Sequence, residues 1–128
     1  MRIEKGHVAG GELNGQTTAR DLGLGKMMSR KKDFIGSALA RRPALEDPTR
    51  PALVGLSPVD RSVRLHSGAH FLALGAAAVA AGDQGWVSSV AFSPTLGHWI
   101  GLGFLANGPA RHGERVRAYD PVRGGDTK

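Results

Sequence analysis

The sequence predicts an α+β protein in which two short N-terminal helices lie beside an antiparallel, Greek-key-like β-barrel. Signals for helix starts lie in the first third of the 128 residues. From residue 52 onward, short apolar runs alternate with turn-forming residues, a pattern typical of antiparallel barrels and sandwiches. The 19 glycines and 7 prolines also favour a turn-rich architecture over a helical bundle.

The N-terminal region carries two helix signals. Thr18 followed by Asp21 resembles a capping box, and the glycines that follow end this first helix after a few residues. Asp33 is a good N-cap for a second helix over residues 34–41, which the next proline stops. Two short strands are expected in the same region, at residues 2–5 and 26–29.

A proline-rich linker over residues 43–51 separates the helices from the strands. Five strands are predicted beyond it, at residues 52–59, 69–74, 85–92, 98–106 and 114–119. The segment 93–97 is typical of a hairpin turn. Residues 75–82 are rich in alanine yet lie between two predicted strands, so their structure stays open.

The basic charge of the chain lacks the pattern of a nucleic-acid-binding protein. The formal net charge is +6, but residues 30–32 form the only run of three cations. No aromatic side chains interleave with the cations, and an aromatic content of 5% offers little surface for base stacking. We therefore expect no nucleic-acid partner; a solvated basic face or attraction for a small polyanion fits the charge.

Several functional motifs are excluded by the sequence. Gly25-Lys26 is not part of a phosphate-binding Walker loop, because Arg20 and Met27 replace the required glycine and hydroxyl residue. The five histidines form no cluster with metal-ligand spacing, and the absence of cysteine excludes disulfides. With no secretory signal and no apolar run long enough to span a bilayer, we expect a cytoplasmic protein without a membrane partner.

Three blocks of sequence resemble one enzyme family. They are R-I-E-K-G, T-T-x-x-D-L-G-L-G and K-K-D-F-I-G within residues 1–36, L-V-G-L-S-P-V-D at residues 53–60, and the stretch 85–105. In this order they resemble the folate-binding aminomethyltransferase family, which includes the glycine cleavage T-protein. The sequence of these blocks is most similar to the C-terminal region of sarcosine oxidase alpha subunits of the heterotetrameric type.

The resemblance implies a division of the chain. Residues 1–42 correspond to the end of the folate-binding aminomethyltransferase domain, 43–51 to a linker, and 52–128 to the C-terminal β-barrel domain. The chain stops before the closing strand that family members make, so the barrel is expected to lack its last strand. Because the matching residues come late in the family's long chains, Met1 is expected to be an internal position.

The same resemblance implies a partial tetrahydrofolate site made by Lys26, Glu4 and Arg2. Arg2 and Glu4 match the family's R-x-E element, and an ion pair that positions the segment is an equally good interpretation of both. Lys26 stands where the family has an aromatic residue beside the folate, so a long cation replaces a stacking contact. The acids that bind the pterin ring come from upstream sequence. No residue is expected to be catalytic.

The function implied is a share in the oxidative demethylation of sarcosine to glycine, with peroxide formation and one-carbon transfer to tetrahydrofolate. NAD and FMN or FAD belong to other parts of such a complex, so the isolated chain is expected to be inactive. Its partners would be the upstream part of the alpha subunit and the other subunits. Two alternatives stay open: a fragment of a T-protein-like aminomethyltransferase, and a non-catalytic subunit-interaction module.

Overall fold

One antiparallel sheet organises the computed structural model, which describes residues 1–122 and the backbone of 125–127. Its strands within the described residues are β1 Pro51–Leu56, β2 His70–Leu72, β3 Gly85–Ser93, β4 His98–Ala106, β5 Arg117–Asp120 and β6 Gly125–Thr127. Their order across the sheet is β1-β4-β3-β2-β5-β6, and every neighbouring pair is antiparallel. The fold class expected from the sequence is confirmed at this level: an antiparallel sheet with a few short helices.

The β3–β4 hairpin is the centre of the sheet. Its register runs from Gly85 opposite Leu105 to Ser93 opposite His98. A bulge between Val87 and Ser89 interrupts it, and such a bulge re-aims the side chains at its position. The hairpin turn predicted at residues 93–97 is confirmed, and the Ser93 hydroxyl accepts a hydrogen bond from the Leu96 amide within it (3.1 Å).

Two apolar clusters lie on the sheet. The larger consists of buried side chains from β2 to β5 and the turn before β2: Ala69, Phe71, Val87, Leu105 and Ala118. The smaller joins Ile3, from the N-terminal segment, to Ile100 and Leu102 of β4. Because Ile3 is buried there, the first residues of the chain pack on the sheet.

All five predicted strands are found, four of them with shifted ends. The fourth prediction has the bounds of β4, whereas β2 and β5 are shorter than predicted. The open segment 75–82 holds a single 3₁₀ turn, Ala80–Gly82, and β6 is a strand that the sequence did not predict. The predicted absence of a closing strand stays a prediction, because the residues beyond 122 are described only as the backbone of 125–127.

Both strands predicted in the N-terminal region are wrong. Residues 2–5 form turns, in which the Lys5 amide donates to the Met1 carbonyl (3.2 Å), and Gly6 follows with a φ of +70°. Gly25–Met27 is a 3₁₀ turn closed by Met28, whose amide donates to the Gly25 carbonyl (3.2 Å). Local hydrogen bonds thus replace sheet pairing at both places.

The helices are shorter than predicted and partly displaced. Residues after Thr18 make turns rather than a helix, because Gly23 takes a φ of +75° and ends the first turn. The second predicted helix is present only as α1, Ser37–Ala40, which starts after Gly36 at a φ of +86° instead of at Asp33. A further short helix, α2 Pro43–Glu46, lies inside the predicted linker with proline at its first position.

Candidate functional site

Glu12 joins the N-terminal segment to the bulge in β3. Its side chain is fully buried, and it accepts hydrogen bonds from the Ser88 hydroxyl (2.7 Å), the Ser89 hydroxyl and the Ala9 amide (2.8 Å). The bulge turns these two consecutive serines toward the same carboxylate. Burial raises the pKa of Glu12, but the hydrogen bonds from Ser89, Ser88 and Ala9 outweigh it and lower the pKa below its ordinary value.

Arg2, which the sequence assigns to the folate site, pairs with Glu12. Its Nη1 lies 3.4 Å from Glu12 Oε2 and donates to the carbonyl of His7 (2.9 Å). The guanidinium therefore closes the turn formed by the first residues and adds positive charge beside the buried carboxylate. These contacts agree with the interpretation of Arg2 as part of an ion pair that positions the segment.

Glu4 lies at the hairpin turn instead of beside Arg2. Its carboxylate accepts a hydrogen bond from the Ser93 hydroxyl and is 2.8 Å from the amino group of Met1. The hydrogen bond from this amino group, followed by that from Ser93, lowers the pKa of Glu4. Glu4 also lines a cavity of about 460 Å³ together with Ile3 and Thr95.

Asp21 makes a second connection between the N-terminal region and the sheet. Arg50, directly before β1, donates two hydrogen bonds to the Asp21 carboxylate, from Nε (3.2 Å) and from Nη2 (2.8 Å). The Thr18 amide donates a third (2.9 Å). Burial raises the pKa of Asp21, but hydrogen bonds from Arg50 and Thr18 lower it below its ordinary value. The Asp21 carbonyl also accepts from the Leu53 amide of β1 (2.6 Å). Thr18 and Asp21 thus make the predicted capping contact without a helix.

Lys26 lines a basic cavity of about 430 Å³, which we call the Lys26 cavity. Its wall residues come from the turns before the Gly25–Met27 3₁₀ turn, from that turn and the loop after it, and from α1 with its C-cap: Arg20, Gly23, Gly25, Lys26, Met28, Ser29, Arg30, Phe34, Ser37, Ala40 and Arg41. Four of these residues are cations, and none of the described residues contributes a carboxylate to the wall. Arg20 pairs with Glu46 at 2.7 Å, so Lys26, Arg30 and Arg41 are the wall cations without an acidic partner among the described residues.

The structure therefore does not bring the three predicted site residues into one cavity. Lys26 lies in a cationic cavity, Glu4 lines another, and Arg2 points its guanidinium at Glu12. Sequence reasoning missed Glu12 and Asp21 as anchors, since their partners lie far along the chain. The sequence did contain a signal for a basic site here, because the cations at 30–32 and 41–42 lie at the two ends of the predicted second helix.

A group of apolar side chains lies exposed near the same cavity. Met27 is 80% exposed, and Ile35 is as accessible as in an extended chain. Phe34 and Leu39 are also exposed. None of the described residues of α1, α2 or the Gly25–Met27 turn is buried. This segment offers apolar surface that the described part of the chain leaves uncovered.

The described residues contain neither a metal-binding cluster nor a membrane-spanning helix. No group of three or more His, Asp or Glu side chains there is placed to hold a metal ion. No helix in the described part is long and apolar enough to cross a membrane.

Residues 52–124 match the family model of the glycine cleavage T-protein C-terminal barrel domain, and the chain belongs to this family. The matched range runs from the second residue of β1 to beyond β5, which agrees with the antiparallel sheet described above.

Similar proteins extend the match to the N-terminal region. The chain is 47% identical over 128 residues to sarcosine oxidase subunit alpha of Rhizobium meliloti (strain 1021), covering 99% of this chain and 13% of that protein. It is 36% identical over 127 residues to the same subunit of Corynebacterium sp. (strain P-1), covering 97% and 13%. An aminomethyltransferase of Saccharopolyspora erythraea is 35% identical over 120 residues, covering 91% and 31%. The chain thus spans 13% of the length of the first two relatives.

Proposed function

We propose that the chain works as part of a sarcosine oxidase-type assembly, in which it helps to close the tetrahydrofolate side of the reaction cavity. The observation that carries this proposal is the 47% identity to a sarcosine oxidase subunit alpha, because it extends over 99% of the chain. Because it covers 99% of the chain, the match extends into residues 1–51, which lie outside the barrel family model and hold Lys26, Arg2 and Glu4.

The reaction proposed for the assembly is the oxidative demethylation of sarcosine to glycine. NAD and FMN or FAD, bound elsewhere, would supply the redox chemistry, with peroxide as the product of oxygen reduction. Within this scheme the chain holds no redox group, so its own contribution is to enclose and position. Excluding water matters here, because a reactive one-carbon unit is otherwise lost to hydrolysis before it reaches tetrahydrofolate.

The Lys26 cavity fits one end of a folate. Its unpaired cations suit carboxylates, and Phe34 supplies an aromatic wall. The described wall has no acid that could accept hydrogen bonds from a pterin, so that part of the site would come from another part of the assembly. In this proposal Arg2 and Glu4 have an indirect role, because they hold residues 1–12 on the sheet.

The proposed assembly also defines the domain boundaries and the topology. Residues 1–42 would complete a folate-binding domain, 43–51 would link it, and 52–128 would form the barrel domain, in agreement with a family match that begins at residue 52. A Greek-key arrangement is supported by the strand order, since β2, β3 and β4 are consecutive neighbours and β5 returns beside β2. The uncovered apolar side chains at 27–39 would pack against the upstream part of the alpha subunit.

Two other functions remain as candidates, each with its own observation. A T-protein-like aminomethyltransferase is favoured by the 35% identity over 120 residues to the Saccharopolyspora erythraea protein. A non-catalytic interaction module is favoured by the exposed Met27 and Ile35. Only the sarcosine oxidase proposal requires that the segment support flavin-dependent oxidation in its assembly.

A chimeric enzyme tests the proposal. The matching segment of the Rhizobium meliloti subunit alpha is replaced with this chain and expressed with the other subunits. We expect sarcosine-dependent peroxide formation and capture of the one-carbon unit by tetrahydrofolate instead of its release as formaldehyde. The matched control carries the segment of the Saccharopolyspora erythraea aminomethyltransferase. An assembled chimera that releases the same formaldehyde with and without tetrahydrofolate would refute the folate-side role.

A substitution in the same chimera tests Lys26. Lys26→Ala is expected to raise the KM for tetrahydrofolate about two- to fivefold, the effect of losing one partly exposed charge contact. Arg61→Ala is the control, because Arg61 is an exposed cation outside the Lys26 cavity. An equal rise in KM for both variants would mean that general charge, and not Lys26, attracts the folate.

A further inference from the structure

The Lys26 cavity concentrates positive charge in a pocket of ligand size. Its volume of about 430 Å³ lies in the range of typical small-molecule sites. Lys26, Arg30 and Arg41 have no acidic partner among the described contacts, whereas Arg20 is held by Glu46. Like charges gathered in one concave wall repel one another, and a multivalent anion relieves that repulsion.

Each cation is carried by a backbone segment with its own local hydrogen bonds. Lys26 belongs to the 3₁₀ turn that the Leu24 carbonyl closes with the Met27 amide (2.9 Å). Arg30 belongs to a turn in which the Ser29 hydroxyl accepts hydrogen bonds from the amides of Lys31 (3.2 Å) and Lys32 (3.0 Å). Arg41 caps α1 with its amide bonded to the Ala38 carbonyl (3.3 Å). These hydrogen bonds fix the three backbone positions from which the charges extend, which reduces the part of the entropic cost of binding that comes from ordering the backbone.

We propose that the Lys26 cavity is a binding site for a compact multivalent anion, a molecule with two or more closely spaced carboxylates or phosphates. Three cations from three segments match several anionic groups at once, and a single anionic group satisfies only part of them. The proposal deepens the proposed function, and rests on it for the ligand met in the assembly. Anion binding itself is a property of this chain's own residues.

Titration calorimetry on the full chain distinguishes the sources of the anion. The probes are tripolyphosphate, tri-L-glutamate and orthophosphate, each measured at low and at physiological salt. We expect a multivalent probe to bind at least about tenfold more tightly than orthophosphate, and we expect salt to weaken the binding because the site is exposed. Preference for tripolyphosphate assigns phosphates as the ligand groups, and preference for tri-L-glutamate assigns carboxylates. Equal affinity for orthophosphate and the multivalent probes overturns the proposal.

Variants locate the site. Lys26→Ala and Arg41→Ala are each expected to weaken the binding of the preferred probe about two- to fivefold, while Arg61→Ala leaves it unchanged. Glu46→Gln is expected to strengthen binding about twofold, because it releases Arg20 into the cavity. Lys26→Gln and Arg41→Gln repeat the test with less change in side-chain volume, and circular dichroism checks that every variant is folded.

The outcomes separate this inference from the proposed function. If Arg61→Ala weakens binding as much as Lys26→Ala, the attraction comes from the net charge of the chain and the cavity is not a site. If no probe binds the chain while the chimeric enzyme still passes the one-carbon unit to tetrahydrofolate, the inference fails and the proposed function stands. If the probes bind but the chimera does not oxidise sarcosine, the proposed function fails and the anion site stands.

Discussion

Removing the Glu12 carboxylate tests how the N-terminal segment is held on the sheet. Glu12 is fully buried and accepts hydrogen bonds from two serine hydroxyls of β3 and from the Ala9 amide. Glu12→Ala leaves the Ser89 hydroxyl and the Ala9 amide without this acceptor, whereas the Ser88 hydroxyl can still donate to the Leu102 carbonyl (3.1 Å). Glu12→Gln keeps one carbonyl oxygen as an acceptor but places an NH₂ group where the second oxygen accepted a bond.

The expected loss of stability follows from these contacts. A hydrogen bond to a charged group contributes about 1.5–3 kcal/mol, and a buried donor without a partner costs about 1–3 kcal/mol. Arg2 is 40% exposed and is solvated when its partner is removed, so it adds little to the loss. We expect a decrease in the free energy of unfolding of about 2 kcal/mol for Glu12→Gln and about 4 kcal/mol for Glu12→Ala.

Urea unfolding followed by tryptophan fluorescence measures the loss. With a denaturant slope of about 2 kcal/mol per M, the midpoint shifts by about 1 M for Glu12→Gln and about 2 M for Glu12→Ala. Because the folded-state pKa of Glu12 is lowered, its stabilising effect is complete above its unfolded pKa of about 4.3 and disappears as the pH falls through the folded pKa. The difference between Glu12→Gln and the original chain should therefore shrink in acid.

The control is Glu114→Gln, which changes a carboxylate that is half exposed and pairs with Arg111. This variant is expected to shift the midpoint by less than about 0.5 M, since exposed pairs contribute little. Equal midpoints for the Glu12 and Glu114 variants would refute the anchoring role. A Glu12→Gln chain as stable as the original would show that the charge of Glu12 does not matter.

Two more substitutions test other contacts by the same unfolding assay. Asp21→Asn should lower the free energy of unfolding by about 1–2 kcal/mol at neutral pH, because it weakens the hydrogen bonds from Arg50. The loss should become smaller in acid, because the folded-state pKa of Asp21 is lowered and its carboxylate stabilises the fold only while it is ionised. A loss that does not depend on pH would contradict this. Gly103→Ala should cost about 1–3 kcal/mol, because a Cβ there would lie 2.7 Å from the Trp86 carbonyl oxygen and 3.0 Å from the Phe71 ring. Gly55→Ala is the control and should change stability by less than about 0.5 kcal/mol, because no heavy atom lies within 4 Å of its Cβ. Similar losses for the two glycine variants would show that the sheet can yield at Gly103.

The strands could be predicted because their signals are local. Apolar runs bounded by turn residues define β1, β3 and β4, and these strands are long enough for the pattern to repeat. The three-residue strand β2 is shorter than its prediction, because an apolar run does not indicate where the pairing with neighbouring strands ends. β6 consists of polar residues and glycine, so it carries no apolar signal of a strand.

The N-terminal region was harder to predict because its structure depends on contacts with the sheet. Residues 2–5 have the composition of a short strand, but Ile3 is buried against β4 while the backbone turns. The hydrogen bonds predicted between Thr18 and Asp21 are formed, but no helix starts there. Asp21 also binds Arg50, which is 29 residues away, and Glu12 reaches serines 76 and 77 residues away. Such partners have no local signature in a single sequence.

The distribution of charge in residues 1–42 explains why the basic cavity stands apart from the anchors. Of the four acids in this region, Glu4, Glu12 and Asp21 bind serine hydroxyls, amides or Arg50 at the sheet, and Asp33 is the fourth. The pairs of Glu12 with Arg2 and of Asp21 with Arg50 use cations that do not belong to the wall of the Lys26 cavity. Glu46 of α2 pairs with Arg20, one of the four cations in the wall of the Lys26 cavity, so the other three cations of that wall have no acidic partner among the described contacts.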